Sequence, residues 1–386
     1  MIRLQVQPFC RQQAVRARLA GYVLEGDRFS CGPLVAQFEL ELAAWQGRTR
    51  AVCFNSGSSA NLALIQAMLN VGLLKRGDSV GYSAVTWATN VMPLLQLGLD
   101  PVAVDVEADT LNVSTRTLRE CPREFRALFL THALGFCGDT DGIRRWCANR
   151  KILLIEDACE ALGSVDAGGH KLGNLGLAST FSFFVGHHIS TIEGGMVCTD
   201  DEQLDEMLRM VRSHGWAREV SPATRRRLET GYEIDLFRAP YTFYTLGFNL
   251  RPTEITGLIG LEQLPAIGEV LAMRHANFCR MARAAAADPE IIHLRLEMET
   301  VSNFAFPVVC RDETSFRRHV DRFLPHAEIR PIIGGSMPDQ PFMEFHRAQC
   351  PNAQLIHRCG FYVPNRHDLT EAELDLLCRL LAGETI

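Results

Sequence analysis

Residues 182–197 read SFFVGHHISTIEGGMV: an apolar run enters two adjacent histidines and a polar turn, then Glu-Gly-Gly precedes a second apolar run. Imidazole titrates at about 6.5 when unperturbed, so a histidine leaving a strand can take up a proton and return it near neutral pH. Neighbouring side chains on extended backbone point to opposite faces, so His187 and His188 do not converge on one metal ion. One of them faces a pocket while the other packs or meets solvent. Gly194 and Gly195 predict a site wall with backbone freedom. Three other stretches offer chemistry. In LLIEDACEALGS, Glu156 and Asp157 sit where a buried strand meets a loop, a usual place for ligand contacts in open α/β sheets. Asp157 there either caps a short helix or holds a proton on the ring nitrogen of a pyridine-type cofactor. In NSGSSAN, residues 55–61, Gly57 and Ser58 open a helix whose free N–H groups suit a phosphate, although an ordinary cap by Ser56 or Ser58 explains the same pattern. Trp87 in SAVTWATN either stacks on a planar ring or belongs to the core.

These residues need elements to hold them. Short β-rich runs alternate with helical patterns between about residues 50 and 200, which predicts an α/β unit with a mostly parallel sheet. Strands are expected at 51–55, 79–82, 101–106, 127–130, 152–156, 180–185 and 195–199, with helices at 58–69, 141–149 and 203–213. A long helix runs through LPAIGEVLAMRHANFCRMARAAAA. Beyond it, a strand at 301–309, a helix at 314–323, a strand at 329–333 and a terminal helix from 370 predict a smaller α+β unit. The division falls near residue 265, giving a large domain at 1–265 and a small C-terminal one at 266–386.

Composition narrows the function. The 386 residues carry a net charge of −6 and no dense Lys/Arg run, which argues against a nucleic-acid protein. The N-terminus MIRLQVQPFCRQQ lacks the apolar core of a signal peptide, and Asn90, Gln96 and Asp100 interrupt the most apolar stretches, so no membrane span is expected. Thirteen cysteines without CxxC or CxC spacing read as reduced thiols in a cytoplasmic protein with no metal site. Only three of the 39 basic side chains are lysines: Lys75, Lys151 and Lys171.

Taken together and in order, these segments resemble the DegT–DnrJ–StrS sugar aminotransferases, a branch of the fold type I, vitamin B6-dependent enzymes. The resemblance runs from RFSCGPLVAQFELELAAWQG through NSGSSAN, TWATNVMPLLQLGLDPVAVDV, IEDACEALGS, FSFFVGHHISTIEGGMV and RSHGW to GFNLRPTEITGLIGLEQL. It implies an aspartate aminotransferase-like fold. Relatives read Ser-Phe-aromatic-x-x-Lys where this chain ends in His187, and that lysine is the residue that bonds pyridoxal phosphate. Imidazole forms no stable Schiff base, so this cofactor cannot be tethered there. A lysine-to-histidine change marks the sugar 3-dehydratase branch. There, freely exchanging pyridoxamine phosphate meets the C4 ketone of a nucleotide-linked 4-keto-6-deoxyhexose, and the C3 hydroxyl leaves.

The resemblance also implies roles. His187 would move the proton, Asp157 would pair with the ring nitrogen, Glu160 would contact the ring hydroxyl and Trp87 would stack on the ring. Gly57, Ser58 and Ser182 would hold the phosphate. Asn249 in GFNLRPTE would reach it from a second copy, which implies a homodimer with shared sites. His188, His214 in RSHGW and Arg330 in RPIIGGSMPDQP are candidates for the sugar side. A related version of the branch uses an iron–sulfur cluster and a reductase, but residues 213–249 hold no cysteine to ligate iron. The expectation is a 3-dehydratase with glutamate as amino donor; a sugar aminotransferase is the alternative, and the cluster-dependent route is the weaker one.

Overall fold

A computed structural model describes residues 1–386 apart from Leu296 and Thr385. Seven strands form the main sheet: β1 Arg50–Phe54, β2 Ser79–Ser83, β3 Asp100–Val104, β4 Ala127–Thr131, β5 Leu153–Asp157, β6 Ala178–Ser182 and β7 Gly195–Thr199. Each coincides with a strand expected from sequence, shifted by a few residues at most. Their order is β1-β7-β6-β5-β4-β2-β3, and every neighbouring pair is parallel except those made by β7. Nearly every residue in these strands is buried, because helices cover both faces. The mouths of β1, β2, β4, β5 and β6 therefore gather at one edge, where ligands bind in open α/β sheets.

The helix Gly57–Asn70 follows β1 directly. Ser56 caps it, accepting the N–H of Ser59 at 3.0 Å, and Ala60, Ala63, Leu64, Ala67 and Met68 are fully buried in the core it shares with the sheet. A buried ion pair fixes the outer strand. Glu39 on helix Pro33–Gln46 meets Arg212 at 2.6 Å and Arg209 at 2.9 Å on helix Glu202–Arg212, and it also accepts the N–H of Cys53 in β1 at 2.8 Å. Helix Pro33–Gln46 starts at a glycine with no side chain to cap it. The carboxylate of Glu254 takes over, accepting the N–H groups of Leu34 and Val35 at 2.9 and 3.1 Å.

The expected long helix is found as helix Ile267–Ala285, and a short turn through Pro265 joins it to a preceding helix, Glu254–Gln263, that was not foreseen. By length and composition this run, Glu254–Ala285, could cross a bilayer, contrary to the expectation that no segment could. Its apolar window is 56% buried inside the protein, where helix Glu254–Gln263 lies along helix Pro33–Gln46. Beyond it, β8 Ala305–Val309, β9 Arg330–Pro331 and β10 Gly360–Pro364 form an antiparallel sheet in the order β8-β10-β9. The strands expected at 301–309 and 329–333 are shorter than foreseen, and the central strand β10 was not foreseen, being a five-residue run closed by Gly and Pro. Ile2 bridges to Ala327 and belongs to the hydrophobic cluster shared with this smaller sheet. We propose residue 265, at the turn between the two helices, as the domain division.

The Gly-Gly pair has a structural cause different from the one expected. A Cβ on Gly195 would lie 2.2 Å from the Ser56 carbonyl oxygen and 2.6 Å from the Gly57 nitrogen. Gly195 thus lets β7 lie against the turn that starts helix Gly57–Asn70, while a Cβ on Gly194 would meet Oγ1 of Thr191 at 2.2 Å. Gly195→Ala should lower unfolding stability by about 2 kcal/mol or more, since backbone atoms must shift to admit the methyl. Thermal or denaturant melts of the two proteins check this.

Candidate active site

A cavity of about 460 Å³ opens where the strand mouths meet, and residues from both units line it. Its lining includes Gly57, Ser58, Trp87, Asp157, Glu160, Ser182, His187 and Arg330, eight residues singled out from the sequence. The Ser56 cap takes the N–H of Ser59, and the first turn leaves those of Gly57 and Ser58 without helical partners. Gly57 has to be glycine, as a Cβ there would sit 2.7 Å from Cβ of Ser182. Ser182 ends β6 beside this turn, so two strand mouths and one helix start converge on a pocket for an anion.

Asp157 and Glu156 separate by strand alternation. Glu156 faces the interior, where it pairs with His132 at 2.9 Å and accepts the N–H groups of Gly173, Leu175 and Gly176 at 2.8–2.9 Å. Asp157 faces the cavity. One of its oxygens accepts Nδ2 of Asn61 at 3.0 Å and the other the N–H of Cys159 at 2.9 Å, so the carboxylate is aimed by two donors and has lone pairs left for a ligand. Sequence reading overlooked Asn61, which lies one turn into the helix that begins at Gly57. Glu160 accepts the N–H of Leu134 at 2.8 Å. Burial, with the charge of Asp157 adding to it, raises its pKa to about 8 against that hydrogen bond. Near neutral pH its carboxyl is largely protonated and can donate a hydrogen bond.

His187 stands on the 183–194 loop between β6 and β7, whose base is closed by bonds from Phe183 N–H to the Gly194 carbonyl and from Thr191 N–H to that of Phe183, each 2.9 Å. Its ring packs between Phe304, with centroids 5.3 Å apart, and Phe184 at 5.9 Å, while Nδ1 lies 3.4 Å from the Ser182 carbonyl. Burial lowers its pKa to about 4, outweighing the Ser182 carbonyl and Asp157, which pull it up. The imidazole is therefore a neutral base across the physiological range. Phe304 and Tyr362 come from the smaller unit, and no local pattern marks them.

Three candidates lie away from the cavity lining. His188 is a correction on the sugar side: its ring is buried, with Nε2 3.2 Å from the Ser302 carbonyl, so it ties the loop to the smaller unit. His214 lies outside this chain's own cavity: it holds a positive φ of 60°, donates its N–H to Phe248 at 2.7 Å and sets its ring 4.9 Å from that of Trp216. Asn249 is exposed and bridges to Ser213, outside this chain's own cavity. Trp87 lines the cavity but is 55% exposed, so it is no core residue. None of the three lysines lines the cavity: Lys171 bonds the Trp45 carbonyl and sits 4.0 Å over the Trp45 ring, while Lys75 and Lys151 are exposed. All thirteen cysteines are free thiols.

The cavity fits a phosphorylated pyridine: unpaired N–H groups and Ser182 at one end, a buried carboxylate aimed by two donors, and an open indole face. Glu160 offers a separate test of this electrostatic description. With its pKa raised in the fold, the native state holds more protons than the unfolded chain from the ordinary carboxylate range up to about pH 8, so this group makes stability fall as pH rises across that window. Glu160→Gln should flatten that decline, and melting curves of ligand-free protein between about pH 5 and 8 measure it.

The profile of the DegT/DnrJ/EryC1/StrS aminotransferase family matches residues 11–382. The chain is 33% identical over 362 residues to the GDP-4-keto-6-deoxy-D-mannose 3-dehydratase of Yersinia pseudotuberculosis, spanning 90% of this chain and 91% of the relative. The E. coli GDP-4-keto-6-deoxy-D-mannose-3-dehydratase with bound hydrated PLP matches with a TM-score of 0.89 at 28% identity, covering 99% of each chain. A GDP-4-keto-6-deoxymannose-3-dehydratase with a trapped PLP-glutamate geminal diamine matches with a TM-score of 0.87 at 28% identity, over 99% of this chain and 100% of that one. With sequence motifs, fold and nearly the full length in agreement, the chain belongs to the DegT/DnrJ/EryC1/StrS aminotransferase family.

Proposed function

We propose that this chain is a pyridoxamine phosphate-dependent 3-dehydratase of a nucleotide-linked 4-keto-6-deoxyhexose, and that glutamate restores the amine. One observation carries the reading: the cavity presents His187, a neutral imidazole, and no lysine. An aminotransferase of this family needs an amine there to hold and release its cofactor. The likeness to GDP-sugar dehydratases favours a GDP-linked substrate.

When bound, pyridoxamine phosphate supplies the amine that meets the ketone and a ring that accepts electrons. Gly57 and Ser58 offer their N–H groups, and Ser182 its hydroxyl, to the phosphate. Asp157 keeps the ring nitrogen protonated, Trp87 covers one ring face, and protonated Glu160 donates to the ring hydroxyl. His187, neutral down to about pH 4, takes the proton from the carbon that bears the amine and passes it to the departing C3 hydroxyl. The same imidazole serves again when glutamate is converted to 2-oxoglutarate. Arg330 reaches the outer end of the cavity, paired with Glu328 at 2.6 Å, and is suited to the sugar or its phosphates.

We also infer a cytoplasmic homodimer. Trp87, Phe184 and Ile192 are exposed apolar residues, the first two in the cavity lining, and Phe237, Tyr241 and Phe243 are exposed near Asn249. A second copy would cover this surface and bring its Asn249 to the phosphate.

Incubation with pyridoxamine phosphate, glutamate and a panel of nucleotide 4-keto-6-deoxyhexoses, the GDP-linked one first, should release ammonia and 2-oxoglutarate without added reductase. His187→Asn should reduce turnover by at least about a hundredfold. Undiminished turnover in that variant, or an aminated sugar as product, would contradict the proposal.

A further inference from the structure

We infer that Glu193 recognises the sugar, accepting hydrogen bonds from hexose hydroxyls and so deciding which sugar is held within reach of His187. This deepens the function proposed above and rests on it. Glu193 lines the same cavity as His187 and stands on the same loop, six residues later. Among the described residues nothing forms an ion pair or hydrogen bond with its carboxylate. That sets it apart from the other two cavity acids: Asp157 is held by Asn61 and Cys159, and Glu160 by Leu134.

The backbone beneath Glu193 is fixed by unusual means. Ile192 has φ of 71°, a left-handed conformation that β-branched residues rarely adopt. It is 49% exposed, so burial of its side chain does not account for the conformation. Instead the turn is tied by its own polar groups: Ile192 donates its N–H to Oγ of Ser190 at 3.0 Å, and the Thr191 hydroxyl donates to the Glu193 carbonyl at 3.0 Å. Strained backbone of this kind persists where the surroundings over-determine it, commonly beside functional groups. Here it holds an exposed carboxylate, free of protein partners among the described residues, at the lining of a ligand cavity.

Charge selects the ligand group. A carboxylate accepts from hydroxyls or ammonium groups and repels phosphates and other carboxylates. The nucleotide's diphosphate and both carboxylates of glutamate are therefore poor partners, and the donor's amine is the group that reacts. The neutral hydroxyls of the hexose remain. A charged acceptor bonds them more strongly than a neutral amide would.

The test compares Glu193→Gln with the parent protein in both halves of the reaction. The KM for the sugar nucleotide should rise about tenfold, with most of the loss in KM rather than kcat, while the KM for glutamate stays within about twofold. Equilibrium binding of the sugar nucleotide to His187→Asn protein loaded with pyridoxamine phosphate gives a readout free of turnover. Adding Glu193→Gln to that protein should weaken binding by a similar factor, and Ile192→Gly, which loosens the turn while keeping the charge, should weaken it to a lesser degree. Unchanged sugar affinity with Glu193→Gln, or a change in glutamate affinity instead, would overturn this role. If the His187→Asn protein binds no sugar nucleotide even with Glu193 present, the proposed function itself fails.

Discussion

The arrangement depends on the desolvation of one imidazole. His187 is wedged between two phenylalanine rings on a short loop, and removing water from it favours the neutral form strongly enough to outweigh the attraction of Asp157. An amine in the same place would form a Schiff base with an aldehyde cofactor, whereas a neutral imidazole forms no stable one and can accept and return a proton. The rest of the site is consistent with a ligand held by non-covalent contacts alone. Helix-start N–H groups, a doubly hydrogen-bonded aspartate and an open indole face each bind without forming a bond.

Two acids of one short motif show how environment divides labour. Asp157 is fixed as an acceptor by Asn61 and the Cys159 N–H, while Glu160, three residues on, is driven toward its protonated form by burial. The pair offers one acceptor and one donor in the lining of the same cavity. That is what the ring nitrogen and the ring hydroxyl of a hydroxypyridine require.

Much of this was legible in the sequence because the relevant signals are local. Seven short apolar runs separated by helical patterns marked the seven strands, and glycine, serine and acidic residues at their ends marked the cavity wall. What escaped was set by tertiary contact. His188 differs from His187 by one position, and only the carbonyl of Ser302, more than a hundred residues away, decides that it packs rather than faces the ligand. Phe304 and Tyr362 enter from the smaller unit, whose central strand begins at Gly360 and ends at Pro364 and was not foreseen. Asn61 reads as an ordinary helix residue until the fold brings Asp157 within 3.0 Å. Gly195 carried a real signal that was misread: it admits the close approach of Ser56 and does not serve as a point of backbone freedom.

The central claim is that no amine of this protein bonds the cofactor. Borohydride reduction of the protein mixed with pyridoxal phosphate, followed by intact mass measurement and peptide mapping, addresses it directly. The account predicts protein of unmodified mass, with the cofactor removed by dialysis. A stoichiometric pyridoxyl group on Lys75, Lys151 or Lys171 would contradict it.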